Sequence, residues 1–524
     1  MQTRTRGWLV AFARLAAFLS LALFLCGCTG PLEYVRNGFK VGPNYRRPPA
    51  PVAPDWIDAA DERVRSQSEP PALWWNVFND PVLNSLVQNA SQENLSLREA
   101  GFRVLQARAQ RAIAVGSLFP QTQQATGTYQ RIQISSQNVN IPVGLPRFFS
   151  LWDGGFNLAW EIDFWGRFRR AVESADARLD ASVENYDDVL VTLLGDTAST
   201  YVQIRTLQQR IVLAQANVAL QRETLKIAEA KFKGGQTSEL DVDQAKSTLA
   251  QTEALIPTLE ISLRQANNEL CTLLGIPPRD LLPEIGPAPI PAAPVAAAVG
   301  IPAELLTRRP DVRRAERDLA AQSAQIGIAT AELYPQIAVT GQIGVQASDL
   351  DELFTPRSVR AAIGPSITWN ILNYGRLVNN IRVQDARFQE LVASYQNTVL
   401  NASQEVEDGL AVFLRSQQIA RHLAESVDAT ARAVKIVLVQ YREGRVDFNR
   451  VVLVEQNLVQ QQDQLAQAQG NIALGLIQVY RALGGGWQIR CGPEGVVESS
   501  PPMPRADDAG DPKEILPAPR PGPK

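Results

Sequence analysis

The chain contains very few of the residues that build metal and catalytic centres. Its 524 residues include one histidine and four cysteines. Zinc sites use mainly cysteine and histidine ligands, so no zinc cluster is expected, and His422 is predicted to lie on a helix surface. The sequence has no G-x-S-x-G motif, P-loop or dinucleotide-binding glycine motif, and no convincing acid/base pair stands out. These absences argue against an enzyme.

An excess of basic charge is also missing. The chain has 51 Lys and Arg residues against 54 Asp and Glu residues, a net charge of −3. No basic patch or stripe is visible, so nucleic acid is not an expected partner.

The N-terminal residues have the pattern of a bacterial lipoprotein signal. Arg4, Arg6 and Arg14 accompany an apolar run at 15–25, which is too short to span a bilayer comfortably. The segment ends in Leu-Cys-Gly-Cys, which resembles a lipobox, so residues 1–27 are predicted to be removed. A diacylglyceryl group and an N-acyl chain are then expected on Cys28, and no other cofactor. The alternative is an ordinary secretory signal that leaves Cys28 a free thiol.

Removal of residues 1–27 deletes three arginines and no acid, which changes the net charge to −6. Thr29 follows the lipidation site, a pattern that in such lipoproteins favours the outer membrane. Multiple acyl chains would anchor the protein stably, since each buried methylene contributes about 0.8 kcal/mol. Two other cysteines remain, Cys271 and Cys491. They could pair in an oxidising periplasm, but two unpaired thiols are expected, with Cys271 in a helical core.

The rest of the chain is duplicated at an offset of 209 residues. Trp160 matches Trp369, Gly235 matches Gly444, and Leu274-Gly275 matches Leu483-Gly484. Solenoid repeats are much shorter, about 20–50 residues, so this period indicates a duplicated half-molecule. The predicted organisation is a lipid anchor and strap at 28–80, a first repeat at 81–282, a Pro/Ala linker at 283–302, a second repeat at 303–490 and a disordered tail at 491–524. Within the strap, the proline-rich segment 41–54 is expected to be extended.

Each half is predicted to hold a helix, two strands and two further long helices. The first helices are expected at 81–117, with Asp80 as the capping carboxylate, and at 310–333. Strands are expected at 121–134, 152–162, 336–346 and 363–371, and the first of these alternates poorly. The other three alternate apolar and polar residues with period two. The pattern fits half of a soluble sandwich or a transmembrane β-barrel strand of about 9–11 residues.

Four strands cannot close a barrel, because small bacterial barrels need eight. If the strands lie in a membrane, several chains have to share one barrel.

Two very long helices follow the strands. Residues 167–233 and 376–443 each contain no proline and a single glycine. At 1.5 Å per residue each would be about 100 Å long. Each ends at a glycine, Gly235 or Gly444, and turns back into a second helix, predicted at 238–274 with a break at Pro257, and at 447–483. A structural coiled coil is possible, but a rod that returns beside amphipathic strands fits a helical tunnel better.

Several motifs in this order resemble the TolC-like outer-membrane efflux protein family, in its lipoprotein branch. They are the lipobox, Val41-Gly42-Pro43-Asn44-Tyr45, the segments at 74–83 and 118–120, Trp160-Glu161-Ile162-Asp163-Phe164-Trp165-Gly166-Arg167, and the segment at 306–312. The resemblance covers about residues 28–490.

The resemblance implies a mainly α fold with a small transmembrane β part. It implies a homotrimer with one shared 12-stranded β-barrel and a long α-helical barrel, anchored in the outer membrane and extending into the periplasm. A periplasmic adaptor and an inner-membrane resistance–nodulation–division pump are the implied protein partners. The implied function is the outer-membrane channel of a tripartite efflux pump.

The family's glycine turns form the periplasmic tip, where the adaptor docks. Carried over, the tip residues are Gly235, Gln236 and Thr237 in the first turn and Gly444, Arg445 and Val446 in the second. Asp447 matches the acidic residue that narrows the family's channel. The second turn departs from the usual pattern at Arg445, Arg450 and 454–456, so the gate contacts stay open. A solvated Asp447–Arg445 surface pair is the alternative interpretation.

Other functions remain as alternatives. A periplasmic coiled-coil scaffold without a pore would not need amphipathic strands with tryptophans at their ends, and a porin would lack the long rods. The exported solute, whether drug, metal or metabolite, is not encoded in any visible motif.

Overall fold

The computed structural model describes residues 30–66, 72–135, 137 and 146–491. The predicted signal, Cys28 and the part of the predicted tail beyond Cys491 lie outside these ranges. The described residues form a main unit that ends at Trp487 and a short second segment from Gln488. The helices are α1 (Pro31–Arg36), α2 (Pro81–Glu93), α3 (Leu95–Gly116), α4 (Arg167–Lys233), α5 (Glu239–Leu273), α6 (Leu282–Ile285), α7 (Leu305–Arg308), α8 (Pro310–Ala331), α9 (Arg376–Arg442) and α10 (Phe448–Ala482). The strands are β1 (Val64–Arg65), β2 (Thr122–Gln133), β3 (Phe148–Ile162), β4 (Ala297–Ala298), β5 (Gln336–Ala347) and β6 (Val359–Thr368), and 3-10 helices occupy Trp74–Phe78, Pro302–Glu304, Pro356–Ser358 and Trp487–Cys491.

The long helices of the two halves have identical lengths. Helices α4 and α9 have 67 residues each, and α5 and α10 have 35 each. Both pairs start and end 209 residues apart. The bounds predicted for α4 are confirmed, and α9 ends one residue earlier than predicted, with Glu443 as its C-cap. Helices α4 and α5 pack as one antiparallel hairpin, α9 and α10 as another, and α10 also packs against α4.

The prediction that Pro257 breaks α5 is wrong, because the helix runs through it. An interior proline removes one backbone hydrogen bond and costs about 3 kcal/mol in a helix. Burial on both sides of it offsets that cost: Thr252 and Leu259 are 6% and 3% exposed. The proline itself is exposed, so its ring displaces no packed side chain.

The single helix predicted at 81–117 is in fact two helices, because Asn94 interrupts it. Asn94 has an extended backbone, and its side chain accepts a hydrogen bond from Leu97 N at 2.9 Å. The Asn94 amide also donates to Leu273 O, at the end of α5, at 2.9 Å. The side chain therefore caps α3 and ties it to α5 at once, which a helical backbone at Asn94 would not allow.

The four long strands form one antiparallel sheet in the order β2-β3-β5-β6. The prediction of β2 is confirmed although its apolar and polar residues alternate poorly. All twelve of its residues pair with β3. Strand β6 starts four residues before the predicted position and ends at Thr368, before Trp369. The two tryptophans of the repeat link the ends of β3 and β6 to the turns that follow α3 and α8. Trp160 Nε1 donates to Leu118 O at 3.2 Å, and Trp369 Nε1 donates to Leu333 O at 2.9 Å.

The linker between the halves is more ordered than its composition predicts. Strand β4 pairs in parallel with β1. Ala297 and Val299 are fully buried, and Trp56 Nε1 donates to Gly300 O at 2.9 Å. The preceding strap, 41–54, contains no helix or strand, as predicted.

Two further predictions concern single residues. Cys271 is a free thiol, fully buried in α5. His422 lies on α9 with its side chain 67% exposed. Within the ranges described, no helix has the length and apolar character needed to cross a membrane.

Asp80 should stabilise the fold in two ways. Its Oδ1 accepts hydrogen bonds from Val82 N and Leu83 N, which caps α2 as predicted. Its Oδ2 accepts a 2.6 Å hydrogen bond from the hydroxyl of Tyr201, which in turn accepts from the buried Arg205. We expect Asp80→Ala to lower the free energy of unfolding by about 2–4 kcal/mol, the sum of a lost cap and a lost charged hydrogen bond.

The measurement is denaturant unfolding. Asp80→Asn is the matched control, because it keeps an acceptor for the cap and should lose less than half as much. Equal losses in both variants would contradict the capping role.

Candidate functional site

Both helical hairpins turn through the same hydrogen-bonded motif. In the first, Gln236 N donates to Lys231 O and Gly235 N to Phe232 O, both at 2.9 Å. In the second, Arg445 N donates to Gln440 O at 2.8 Å and Gly444 N to Tyr441 O at 3.0 Å. This pair of bonds defines the Schellman motif. The two predicted tip turns therefore have one backbone geometry.

The motif explains why glycine occupies 235 and 444. Their φ angles are +68° and +73°, in the left-handed region that L side chains avoid. No atom lies within 4 Å of the position where a Cβ would stand at either residue. Backbone conformation, and not space, therefore selects glycine at both turns.

Asp447 is the N-cap of α10. Its Oδ1 accepts a hydrogen bond from Arg450 N at 3.0 Å. The alternative interpretation, an Asp447–Arg445 surface pair, is wrong, because Arg445 Nε instead lies 2.9 Å from Glu443 Oε2. Asp447 thus has a structural role in this single chain, and its predicted role at a constriction stays a prediction.

A set of contacts across the two hairpins was missed by the sequence analysis. The hydroxyl of Tyr441 donates to Asp241 Oδ2 at 3.1 Å, and Thr237 hydrogen-bonds to the same oxygen. Lys231 Nζ donates to Tyr441 O at 2.8 Å and lies 4.9 Å from the Tyr441 ring centroid. Lys231, Thr237 and Asp241 belong to the first hairpin and Tyr441 to the second, so these bonds hold the two tips together. We call these four residues the tip lock.

Burial keeps the Tyr441 hydroxyl protonated, so that it remains a donor. Desolvation and the nearby Asp241 carboxylate raise the pKa of Tyr441 to about 12, although Thr237 opposes the shift. The Tyr441 ring is part of an apolar cluster. It consists of Ala228, Val242, Ala245, Val437, Tyr441, Phe448 and Val451, with Val446 packed against it.

Farther from the tip, the contact between α4 and α10 is a polar seam. Three residues of α4 spaced seven apart each contact α10: Arg210, Asn217 and Thr224. Arg210 binds Asp463 through two bonds, of 2.6 and 3.1 Å, and Asn217 donates to Gln462 at 2.8 Å. The seam joins the first half of the molecule to the second.

Glu455 is the most unusual member of this seam. It is 3% exposed, and its carboxyl oxygen accepts a 2.5 Å hydrogen bond from the Thr224 hydroxyl. Desolvation by burial raises the pKa of Glu455, and the Thr224 hydrogen bond only partly opposes this shift. Gln221, three residues before Thr224 on α4, is also buried, with no hydrogen-bond partner for its side-chain amide.

Strands β3, β5 and β6 give the four-stranded sheet an apolar face and a polar face. Antiparallel partners share a face, so the register places Leu158, Gly341 and Ile363 together, and likewise Ile162, Ile337 and Ile367. Ile363 and Ile367 are 81% and 71% exposed. The other face carries Asp153 and Arg360, which form a 2.6 Å ion pair over β5. A broad exposed apolar face on a sheet marks a surface that contacts lipid or another apolar partner.

An amphipathic sheet that leads into helices of 67 residues is typical of one class of protein, the outer-membrane channels. The sequence profile of the family described as "Outer membrane efflux protein" matches residues 86–276 and 301–485. The chain therefore belongs to the outer membrane efflux protein family, and it is an efflux channel component of the outer membrane.

Individual relatives agree with this assignment. Nodulation protein T of Rhizobium leguminosarum bv. trifolii is 30% identical over 443 residues, which cover 82% of this chain and 91% of that protein. The solvent efflux pump outer membrane protein SrpC of Pseudomonas putida is 32% identical over 460 residues, 86% of this chain and 96% of that protein. The solved structure of the outer-membrane channel OprN superposes with a TM-score of 0.79 at 33% identity, and covers 86% of this chain and 99% of OprN.

The described part of the chain has no group of three or more His, Cys, Asp or Glu side chains that could hold a metal ion. The relatives are efflux channel proteins and not enzymes.

Glu455 should make the stability of the hairpin pair depend on pH. A carboxyl whose pKa is raised in the folded state stabilises that state below the unfolded pKa, ordinarily 4.5, and the contribution is lost as the pH rises through the folded pKa. We therefore expect the thermal midpoint of wild type to fall, relative to that of Glu455→Gln, as the pH is raised from 4.5 to neutral.

The matched control is Glu425→Gln, since the Glu425 side chain is 73% exposed. Its thermal midpoint should keep the wild-type pH dependence. Parallel curves for wild type and Glu455→Gln would contradict the role of the buried carboxyl.

Proposed function

We propose that this chain is the outer-membrane channel of a tripartite efflux pump and exports small solutes as a homotrimeric tunnel. The observation that carries the proposal is the two-faced sheet, whose apolar face suits lipid and whose polar face suits a water-filled lumen. Four strands cannot close alone, and three copies would supply twelve. The helical hairpins would then line a conduit that continues from the barrel into the periplasm.

The tip is the proposed gate and docking surface. Adaptor contacts are assigned to Gly235, Gln236, Thr237, Gly444, Arg445 and Val446, because the two Schellman turns present them at the end of the hairpins. The tip lock would hold the closed state, and Asp447 would add negative charge at the constriction, where charged rings set a barrier for solutes. The partners proposed are a periplasmic adaptor and an inner-membrane resistance–nodulation–division pump.

Three further properties belong to the same proposal. The protein has no enzymatic activity of its own, which agrees with the channel function of its relatives. Cys28 carries the diacylglyceryl and N-acyl groups that anchor each copy in the outer membrane. Relatives include solvent and toluene efflux proteins and a pyoverdine export protein, so small organic solutes are the proposed cargo class.

Single-channel conductance in planar bilayers tests the proposal. Wild type should form trimers of small conductance. The double variant Tyr441→Phe/Lys231→Met removes two bonds of the tip lock, together worth about 2–3 kcal/mol, so the open population should rise by tens of fold. Absence of conductance from a folded trimer would overturn the channel function.

Two control variants localise the effect. Lys226→Met removes a lysine that is 70% exposed and pairs with Glu223, so conductance should stay at the wild-type level. Asp447→Ala tests the constriction separately, and a conductance equal to wild type would remove Asp447 from the gate.

The apolar face of the sheet should not tolerate charge. Ile363→Arg places a guanidinium at the middle of β6, where contact with lipid would cost about 2–4 kcal/mol. The variant should assemble poorly into outer-membrane trimers, as measured in membrane fractions by heat-modifiable gel mobility. Gln342→Arg, on the polar face, is the matched control and should assemble normally; equal assembly of both variants would contradict the assignment of the faces.

A further inference from the structure

One end of the sheet carries polar groups on its apolar face. Strand β3 leads directly into α4, so the end where β3 begins is the end farther from the long helices. At that end Arg131 pairs with Ser150 in the register of β2 and β3, and Tyr129 pairs with Trp152. These four residues share a face with Phe156, because side chains alternate along a strand and antiparallel partners lie on one face. Aromatic and cationic side chains therefore follow the apolar residues toward the end of the sheet.

The polar groups at this end are held together by hydrogen bonds. Arg131 Nη1 donates to Ser150 Oγ at 2.8 Å, and the hydroxyls of Tyr129 and Ser150 lie 3.4 Å apart. Arg147 lies just before β3, and its Nε donates to Ile134 O at 3.3 Å. Both arginines bond here to neutral acceptors, so these bonds leave their positive charge uncompensated.

The acidic residues near this end of the sheet lie elsewhere. The chain contains no Asp or Glu between Glu99 and Asp153. Asp153 lies on the polar face, where it pairs with Arg360. The segment that joins β5 to β6 carries the other acids at this end, all of them exposed: Asp349, Asp351 and Glu352. Net positive charge is therefore found on the β2–β3 side of the sheet and net negative charge on the β5–β6 side.

A groove in the apolar face begins beside the arginines. A hollow of about 780 Å³ lies between the strands and the β5–β6 segment, and its lining includes Tyr129, Trp152 and Phe354. A second hollow, of about 860 Å³, adjoins it, since Phe156 and Ile343 line both. Phe156 is 67% exposed and Phe354 82% exposed, so the groove is open. Together the hollows form a path from the end of the sheet toward its middle, which we call the apolar groove.

We infer that the apolar groove, with Arg131, Arg147 and Ser150, binds lipid A, the phosphorylated and multiply acylated lipid of the outer leaflet. The inference rests on the proposed function, which places the long helices in the periplasm and this end of the sheet at the cell exterior. A lipid phosphate would accept hydrogen bonds from the Arg131 guanidinium and the Ser150 hydroxyl, and one acyl chain would lie in the groove.

The separation of charge is what makes the site selective. A belt of interfacial aromatic residues suits any lipid, because the rings lie at the level of the headgroups without reading their charge. Here a phosphate is attracted to the β2–β3 side, which carries Arg131 and Arg147, and is repelled by the carboxylates of the β5–β6 segment. Each copy of the chain therefore offers one site for an anionic headgroup, at a fixed place on the barrel.

Lipid binding by the purified protein tests the site. Full-length protein in a mild detergent is titrated with lipid A and followed by native mass spectrometry. We expect wild type to bind one lipid A per chain with preference. Arg131→Gln/Arg147→Gln should bind about tenfold or more weakly, because charge-assisted hydrogen bonds are lost. The matched control is Arg357→Gln, which removes an exposed arginine from the β5–β6 segment and should bind as wild type does.

Further arms separate the headgroup from the acyl chain. Dephosphorylated lipid A should bind about tenfold or more weakly than lipid A, and inorganic phosphate at the same concentration should not displace the lipid. Gly127→Phe fills part of the groove, since no atom lies within 4 Å of a Cβ at Gly127. This variant keeps both arginines, and it should also weaken the binding of lipid A.

The outcomes separate this inference from the proposed function. Conducting trimers that bind lipid A equally well with and without the two arginines would overturn the site and leave the channel intact. Equal binding of lipid A and its dephosphorylated form would also overturn it. If the double variant loses trimers while each chain still binds lipid A as in wild type, the arginines act between copies, and the inference is wrong. A wild-type chain that binds lipid A but never conducts would instead overturn the proposed function.

Discussion

Unpaired backbone groups on the edges of the sheet are the constraint on which the rest of the structure depends. Within the described sheet, β2 and β6 each have a single neighbour, so one side of each strand presents N–H and C=O groups without partners. In a bilayer every such group needs a hydrogen bond, and a closed barrel is the only arrangement of strands that supplies them all. A chain with four strands meets this requirement only by pairing its edges with other copies. The incomplete sheet and the exposed isoleucines are thus parts of one requirement.

Because of the duplication, the same kinds of contact occur in both halves of the chain. The tryptophans at 160 and 369 link the end of a strand to the turn after a preceding helix through the same indole hydrogen bond. The turns at 235 and 444 close through the same pair of backbone bonds. Differences between the halves then mark positions with separate roles. Asp447 caps α10 with its side chain, whereas its counterpart Ser238 makes no such bond, and Tyr441 of the second hairpin reaches Asp241 of the first.

Local patterns predicted the elements well, and contacts between distant residues were not predictable from them. The ends of α4 could be predicted because the segment contains no proline and is followed by glycine at its C-terminus. Both signals act on the backbone within a few residues. The tip lock could not be found in this way, since Tyr441 and Asp241 are 200 residues apart and neither stands out in sequence. Pro257 and Asn94 show two further limits. Packing against α4 overrode the local cost of proline, and a hydrogen bond to Leu273 split a segment whose composition is uniformly helical.

The equal lengths of the duplicated helices also restrict how this protein can change during evolution. One residue inserted into α4 would rotate every later side chain by about 100° and carry Arg210, Asn217 and Thr224 away from α10. An insertion of seven residues restores the facing stripe to within about 20°, but only if α10, α5 and α9 lengthen with it. The length of the hairpins can therefore change only in steps of seven residues, and each step has to occur in all four helices together. By contrast, no other helix has to lengthen with the segment that joins β5 to β6, so single insertions and deletions should accumulate there.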